Sequence, residues 1–186
     1  MDRTVTISLP NLAIAALFVL LLLVANIALL LRARSLAQSA QSLYDAQRPV
    51  VGVRFPVLHG LTPTGQPFDF EPQFVPFKTL VLVLSFTCKP CEDNWPNWER
   101  LEAANKKGMT LFIDLPGDAP PTYFAYHGMK DGLTLKKLDP ASLLGLNIRS
   151  TPTTFIIDKR GNIVASWAGV LTKDDETEAV KYLGSD

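Results

Sequence analysis

The chain has 186 residues, with 18 basic and 18 acidic side chains and a net charge of zero. With no basic patch interleaved with aromatics, that balance excludes nucleic acid as an expected partner. About 140 residues follow Arg48, enough for one domain with its own core and too few for two of ordinary size.

Residues 11–31 carry no charge and are dominated by Leu, Ala, Val and Ile. The apolar core, Leu12 to Leu31, is 20 residues long. At about 1.5 Å per residue, a helix of that length spans a hydrocarbon layer of about 30 Å. A cleaved signal peptide would have a shorter apolar run, about 7–15 residues, behind a positive leader. Here the leader sets Arg3 against Asp2, and Arg32 and Arg34 follow the run at once. A single-pass, uncleaved membrane anchor is the expectation, with Ala37-Gln38-Ser39 as a weak cleavage-like site. A helix apolar all round also argues against a soluble core helix. Asn26, the polar residue deep in the span, is expected to bond within its own helix or to a neighbour. Arg32, Arg34 and Arg48 outnumber the positive charges on the other side. Taken alone, the positive-inside rule keeps the large domain in the cytoplasm by a small margin. The organisation expected is a leader at 1–10, a transmembrane helix at 11–31, a helical stalk at 32–48 and one domain at 49–186.

In the stalk, Leu36, Ala40 and Leu43 form one stripe, and Arg48-Pro49 stops the helix. Val50 to Leu58 reads as a strand, His59 to Gln66 as a turn, and Phe68-Asp69-Phe70 as a short strand before Pro72 and Pro76. Thr79 to Phe86 is a near-continuous apolar run, the pattern of a central strand covered on both faces. A helix follows to about Lys106 and stops at Gly108. Met109 to Leu115 reads as a second buried strand, Pro116 to Pro121 as a loop, Thr122 to Met129 as a short helix and Leu133 to Leu138 as a short strand. Asp139 to Leu144 fits a helix with Asp139 as its cap and Pro140 at the first position. Thr153 to Asp158 and Ile163 to Ala168 form a hairpin through Lys159-Arg160-Gly161-Asn162, and Lys173 to Leu183 closes as a helix. Strands alternating with helices and ending in a hairpin imply an α/β fold with a mixed sheet.

The chemistry concentrates in Cys88-Lys89-Pro90-Cys91, which holds both cysteines of the chain. Two thiols on the first turn of a helix can close and open a disulfide with little backbone movement. The helix N-terminus favours the thiolate that attacks. Lys89 adds positive charge between the cysteines, and Pro90 removes an N–H where the helix would leave it unpaired. Structural zinc wants four ligands, and only His59 and His127 remain, in no paired spacing. A c-type haem site needs His after the second cysteine, and residue 92 is Glu. A purely structural bridge would close so small a loop that it adds little stability. Glu92 and Asp93 read as acids favoured at a helix start, Trp95 and Trp98 as packing and surface aromatics, and Tyr126 and His127 as residues without a partner.

From about residue 50 to the end, the chain resembles the thioredoxin superfamily, and within it the membrane-anchored TlpA/ResA-like thiol–disulfide oxidoreductases. The resemblance is carried by LVLVLSFTCKPC and by Pro96, five residues after the second cysteine. It is carried also by Ser150-Thr151-Pro152-Thr153-Thr154-Phe155 and by the hairpin Phe155 to Val164. It implies a thioredoxin-like fold, Cys88 as nucleophile, Cys91 as resolving thiol, and a cis bond before Pro152 that turns Thr151 towards the disulfide. It also implies no cofactor beyond the redox-active disulfide, a domain outside the cytoplasm, and reduction of cysteines in other proteins. Those protein thiols and disulfides would include apocytochromes before haem attachment, with a membrane or extracytoplasmic electron donor. Two positions depart from the thioredoxin pattern: Thr87 stands where Trp is usual, and Leu82 where a buried Asp serves the resolving cysteine. Two rival readings remain. One is a thiol peroxidase, for which Ser85 and Val81 stand where Thr and Pro are wanted; the other is a tethered, non-catalytic binding module of the same fold.

Overall fold

A computed structural model describes residues 9–47, 51–75, 77–128 and 133–184. The leader before residue 9, the Arg48-Pro49 stop, Pro76 and Met129 lie outside the described residues, as do the side chains of Ala40 and Leu43. The chain divides into two units, Met1–Ala46 and Gln47–Asp186.

The described part of the first unit lies in one helix, α1 (Leu9–Gln47), running without a break from the apolar run into the expected stalk as far as Gln47. Its stretch Leu17–Ser39 is long and apolar enough to cross a membrane and is buried nowhere along its length. The Asn26 amide donates to the Leu22 carbonyl at 2.9 Å, so its polarity is met within the helix.

The second unit is built on β3 (Thr79–Leu84), in which every residue is buried. Strand side chains alternate between the faces of a sheet. Leu80, Leu82 and Leu84 therefore enter one apolar cluster, and Val81 and Val83 the other. Burying each such side chain contributes about 1.5–3 kcal/mol, enough to fix this segment at the centre. Parallel to β3 runs β4 (Met109–Asp114), and parallel to β4 runs β5 (Thr134–Lys136). On the other side of β3, β6 (Thr153–Ile157) pairs antiparallel with β3, and β7 (Ile163–Ala168) pairs antiparallel with β6 as the expected hairpin. With β1 (Leu58–Leu61) and β2 (Pro67–Phe70), the seven-stranded order is β2-β1-β5-β4-β3-β6-β7.

Helices cover both faces. The first cluster takes side chains from α2 (Lys89–Ala104), α3 (Pro121–Tyr126) and α5 (Lys173–Gly184). The second takes Leu146 of α4 (Pro140–Leu146) and Phe55. Asp139 caps α4 as its sequence implies, accepting from Ser142 N–H at 2.7 Å.

One early element differs from expectation. Residues 51–57 are irregular, and the strand lies at Leu58–Leu61, where a turn was expected. Gly52 holds a positive φ of 89° and Pro56 has no N–H, so residues 51–57 cannot pair as a regular strand. The segment instead lies along β7 through bonds from Gly52 N–H to the Ile163 carbonyl and from Ile163 N–H to the Val53 carbonyl. Gly60 is no turn glycine: a Cβ there would sit 2.9 Å from Leu138 Cδ2. The turn follows, at Thr62–Gln66, around Gly65.

Candidate active site

The central strand delivers the cysteine pair. β3 ends at Leu84, three residues bridge to Cys88, and α2 begins at Lys89. Cys88 is the helix N-cap, and the Cys91 N–H lies 3.2 Å from its Sγ. Cys88 and Cys91 are joined as a disulfide, with Cα atoms 5.3 Å apart. Cys91 is fully buried beside Leu84, Trp95 and Trp98, whereas Cys88 is part-exposed. The two sulfurs are thus unequal: one is open to a partner and one is shielded. Pro90 falls in the first helical turn, where its missing N–H costs nothing. Lys89 sends its ammonium to Asp93 at 2.7 Å, on the exposed side of the turn.

Thr151 and Pro152 arrive from the far end of the chain. The Thr151–Pro152 bond is cis, as is Leu115–Pro116, which no sequence signal marked. The Thr151 carbonyl oxygen lies 3.4 Å from Cys88 Sγ. Pro152 is buried, and its carbonyl accepts from Gly169 N–H at 2.7 Å, tying the loop to the end of β7. The α2 side is tied as firmly. Fully buried Asn94 accepts from Leu171 N–H at 2.9 Å and from the Asn97 amide at 2.8 Å, and Asn97 donates to the Leu171 carbonyl. Trp98, read from sequence as a packing or surface aromatic, is wholly buried and donates its indole N–H to Thr154 Oγ1 at 2.9 Å.

His127 has partners that sequence reading missed. Its ring stacks on Trp95 at 4.0 Å, and its Nε2 lies 3.6 Å from Glu92 Oε2. Tyr123 donates its hydroxyl to Glu92 Oε1 at 3.0 Å. The signal was present: Tyr123 and His127 are spaced i, i+4, the interval that puts two helical residues on one face. Burial pushes the His127 pKa below its ordinary value, outweighing the nearby Glu92. Burial likewise raises the Tyr123 phenol, helped by the Glu92 carboxylate and opposed by the Trp95 indole. Tyr126 is exposed, with its ring centroid 4.8 Å from that of His127 in an edge-to-face arrangement.

Asp114, at the end of β4, was hidden inside an apolar strand pattern. It is fully buried; one carboxylate oxygen accepts from Ala119 N–H at 3.0 Å and the other has no hydrogen-bond partner among the described residues. Burial raises its pKa, more than the Ala119 bond lowers it. Its place in β4, two residues after Phe112, directs it to the α2 side of the sheet. His59 pairs instead with Asp69, across β1 and β2, at 2.9 Å. Among the described residues, no group of three or more His, Cys, Asp or Glu could hold a metal ion.

No protein-family model matches the chain, and no curated protein matches it. Solved structures do. A thioredoxin-family thiol:disulfide interchange protein from Chlorobium tepidum superposes with a TM-score of 0.56 at 22% identity, covering 73% of this chain and 99% of that one. A thio-disulfide isomerase from Thermus thermophilus gives 0.56 at 20% identity, over 74% and 99%. StoA from Bacillus subtilis gives 0.51 at 15% identity, over 67% and 96%. The domain has the thioredoxin fold. Identities this low establish the fold, and the chemistry rests on the site itself. Within this thioredoxin fold, Thr87 is exposed ahead of Cys88, and Leu82 is an apolar member of the α2-side cluster.

Proposed function

We propose that the chain is a membrane-anchored thiol–disulfide oxidoreductase that reduces disulfides of other proteins outside the cytoplasm. The observation carrying this is a part-exposed Cys88 at a helix N-terminus, bridged to a buried Cys91 and facing the Thr151 carbonyl. In the reduced protein, the Cys88 thiolate attacks one sulfur of a substrate disulfide. A mixed disulfide forms and the other substrate sulfur leaves as a thiolate. The Cys91 thiolate then attacks Cys88 Sγ, releasing the second substrate sulfur. The substrate gains two electrons, the chain ends as the Cys88–Cys91 disulfide, and a separate donor must reduce it again. The Thr151 backbone offers an extended substrate a place to pair, and Lys89 and Pro90 shape the first turn.

Residues 11–31 serve as the anchor, 32–48 as the stalk and 49–186 as the catalytic domain in this reading. The thioredoxin fold and the apolar length of α1 support it. Apocytochromes awaiting haem attachment are one class of substrate consistent with it. Two measurements test the proposal. Cys91→Ser should accumulate mixed disulfides with partner proteins in cells, and their absence overturns the mechanism. Titration against glutathione buffers should give a reversible two-electron transition. A midpoint near about −270 mV supports a reductase, and one near about −120 mV reverses the direction to oxidase.

A further inference from the structure

The first turns of α2 carry two acids with different surroundings. Asp93 is exposed and paired with Lys89. Glu92 is turned towards α3, where Tyr123 donates to one carboxylate oxygen and His127 approaches the other. Glu92 follows Cys88 by four residues, and its N–H points to the Cys88 carbonyl at 3.4 Å. That spacing places the acid one helical turn beyond the cysteine on the same side. Tyr123 and Cys88 also pack against the same buried cluster.

We propose that Glu92, Tyr123 and His127 act together as positioning residues that set the charge beside Cys88, and hence its reactivity, according to whether His127 carries a proton. This rests on reading Cys88–Cys91 as an exchanging pair. No proton need pass through the three groups; they act by charge. A carboxylate next to a thiol opposes the thiolate that the helix N-terminus favours. With His127 neutral, Glu92 keeps its negative charge and restrains Cys88. With His127 protonated, the pair is neutral and the restraint is lifted.

The groups that face this pair among the described residues are few. His127 meets Glu92 and Glu99 of α2, Tyr123 and Tyr126 of α3, and the Trp95 ring. Glu92 also feels Lys89, whose ammonium is held by Asp93, and Asp114 acts on Tyr123. Burial places the His127 transition on the acid side of its ordinary value.

The test is the rate at which iodoacetamide alkylates Cys88, measured across pH on the full chain in detergent with Cys91→Ser as parent. The parent should show a second inflection on the acid side of neutrality. Glu92→Gln should remove that inflection and speed the reaction at neutral pH. Each unit of lowered thiol pKa gives about tenfold more thiolate, each about threefold less nucleophilic, for a net gain of about threefold. His127→Phe, which keeps a ring on Trp95, should react more slowly than the parent at acid pH and match it above neutrality. If that variant loses its melting transition, Tyr123→Phe replaces it and should slow the neutral-pH reaction by freeing the Glu92 charge. Variant profiles that superimpose on the parent overturn the proposal while leaving exchange chemistry intact. A Cys88 inert at every pH overturns both.

Discussion

The two faces of the sheet are packed by different means. On the face covered by α2, α3 and α5, the core holds Cys91, three tryptophans and several buried polar groups: Asn94, Asp114 and Thr154. On the face covered by α4 and residues 51–57, the cluster is aliphatic apart from three phenylalanines. There Phe55 meets Phe70 and Phe155 edge to face, with centroids 6.0 and 5.5 Å away. The contrast teaches where stability is separable from chemistry. A buried polar group must find a partner, so its position is specified by direction as well as by volume. The α2 face therefore fixes the cysteines and the Thr151 loop by directed bonds, while the α4 face holds the sheet chiefly by apolar area, with His59 N–H donating to the buried Ser142 Oγ at 2.8 Å as one of its few directed ties.

Substitutions can break this contrast, beginning with the largest effect. Cys88→Ser should abolish thiol–disulfide exchange and leave the circular dichroism spectrum intact, because in the proposed mechanism this residue supplies the attacking sulfur and it lies at the rim of the first core. Phe55→Ala should cost about 3–5 kcal/mol in denaturant unfolding, the range for truncating a buried aromatic. It should leave the redox midpoint of the surviving folded protein unchanged; a shifted midpoint would show that the faces are coupled. Trp98→Phe keeps an aromatic ring but removes part of the indole with its N–H, leaving a small void and Thr154 Oγ1 without its donor. About 1–3 kcal/mol should be lost, with a smaller loss if water reaches the hydroxyl.

Asp114→Asn sharpens the comparison through pH. Burial raises the folded-state pKa of Asp114, so its contribution to stability is complete below the unfolded pKa and is lost as pH rises through the folded one. At neutral pH the buried carboxylate costs stability, and the amide, which can still accept from Ala119, removes that cost. The variant should melt higher than wild type at neutral pH, and the gap should close on acidification into the carboxylate range. A gap that is constant with pH would mean that Asp114 stays neutral throughout.

Much of this architecture could be read from the residues. Thr79–Leu84 announces itself because a strand buried on both faces needs an unbroken apolar run, and Asp139-Pro140 announces α4 through its cap. The cysteine pair and Thr151-Pro152 were legible for a similar reason: short motifs bound to a fixed backbone geometry. What escaped was decided by tertiary context. Gly60 looks like a turn residue until Leu138 is seen packed over it. Trp98 looks like a surface aromatic until Thr154, on another element, supplies its acceptor. Glu92 looks like a helix-start acid, and its second role depends on α3 arriving beside it. Asp114 was hidden because the strand read from Met109 to Leu115 runs straight through it, and one acid in an apolar run does not show which way it faces.

The bonds from Leu171 to Asn94 and from Gly169 to the Pro152 carbonyl also bear on how the chain is made. Synthesis runs from the N-terminus, so Cys88 and Cys91 emerge well before Thr151, Trp167 and Leu171. Until those last segments arrive, Cys91 lacks part of the cover that makes it unequal to Cys88. The inequality of the two sulfurs is therefore complete only when the last strand and the segment after it have packed on the core.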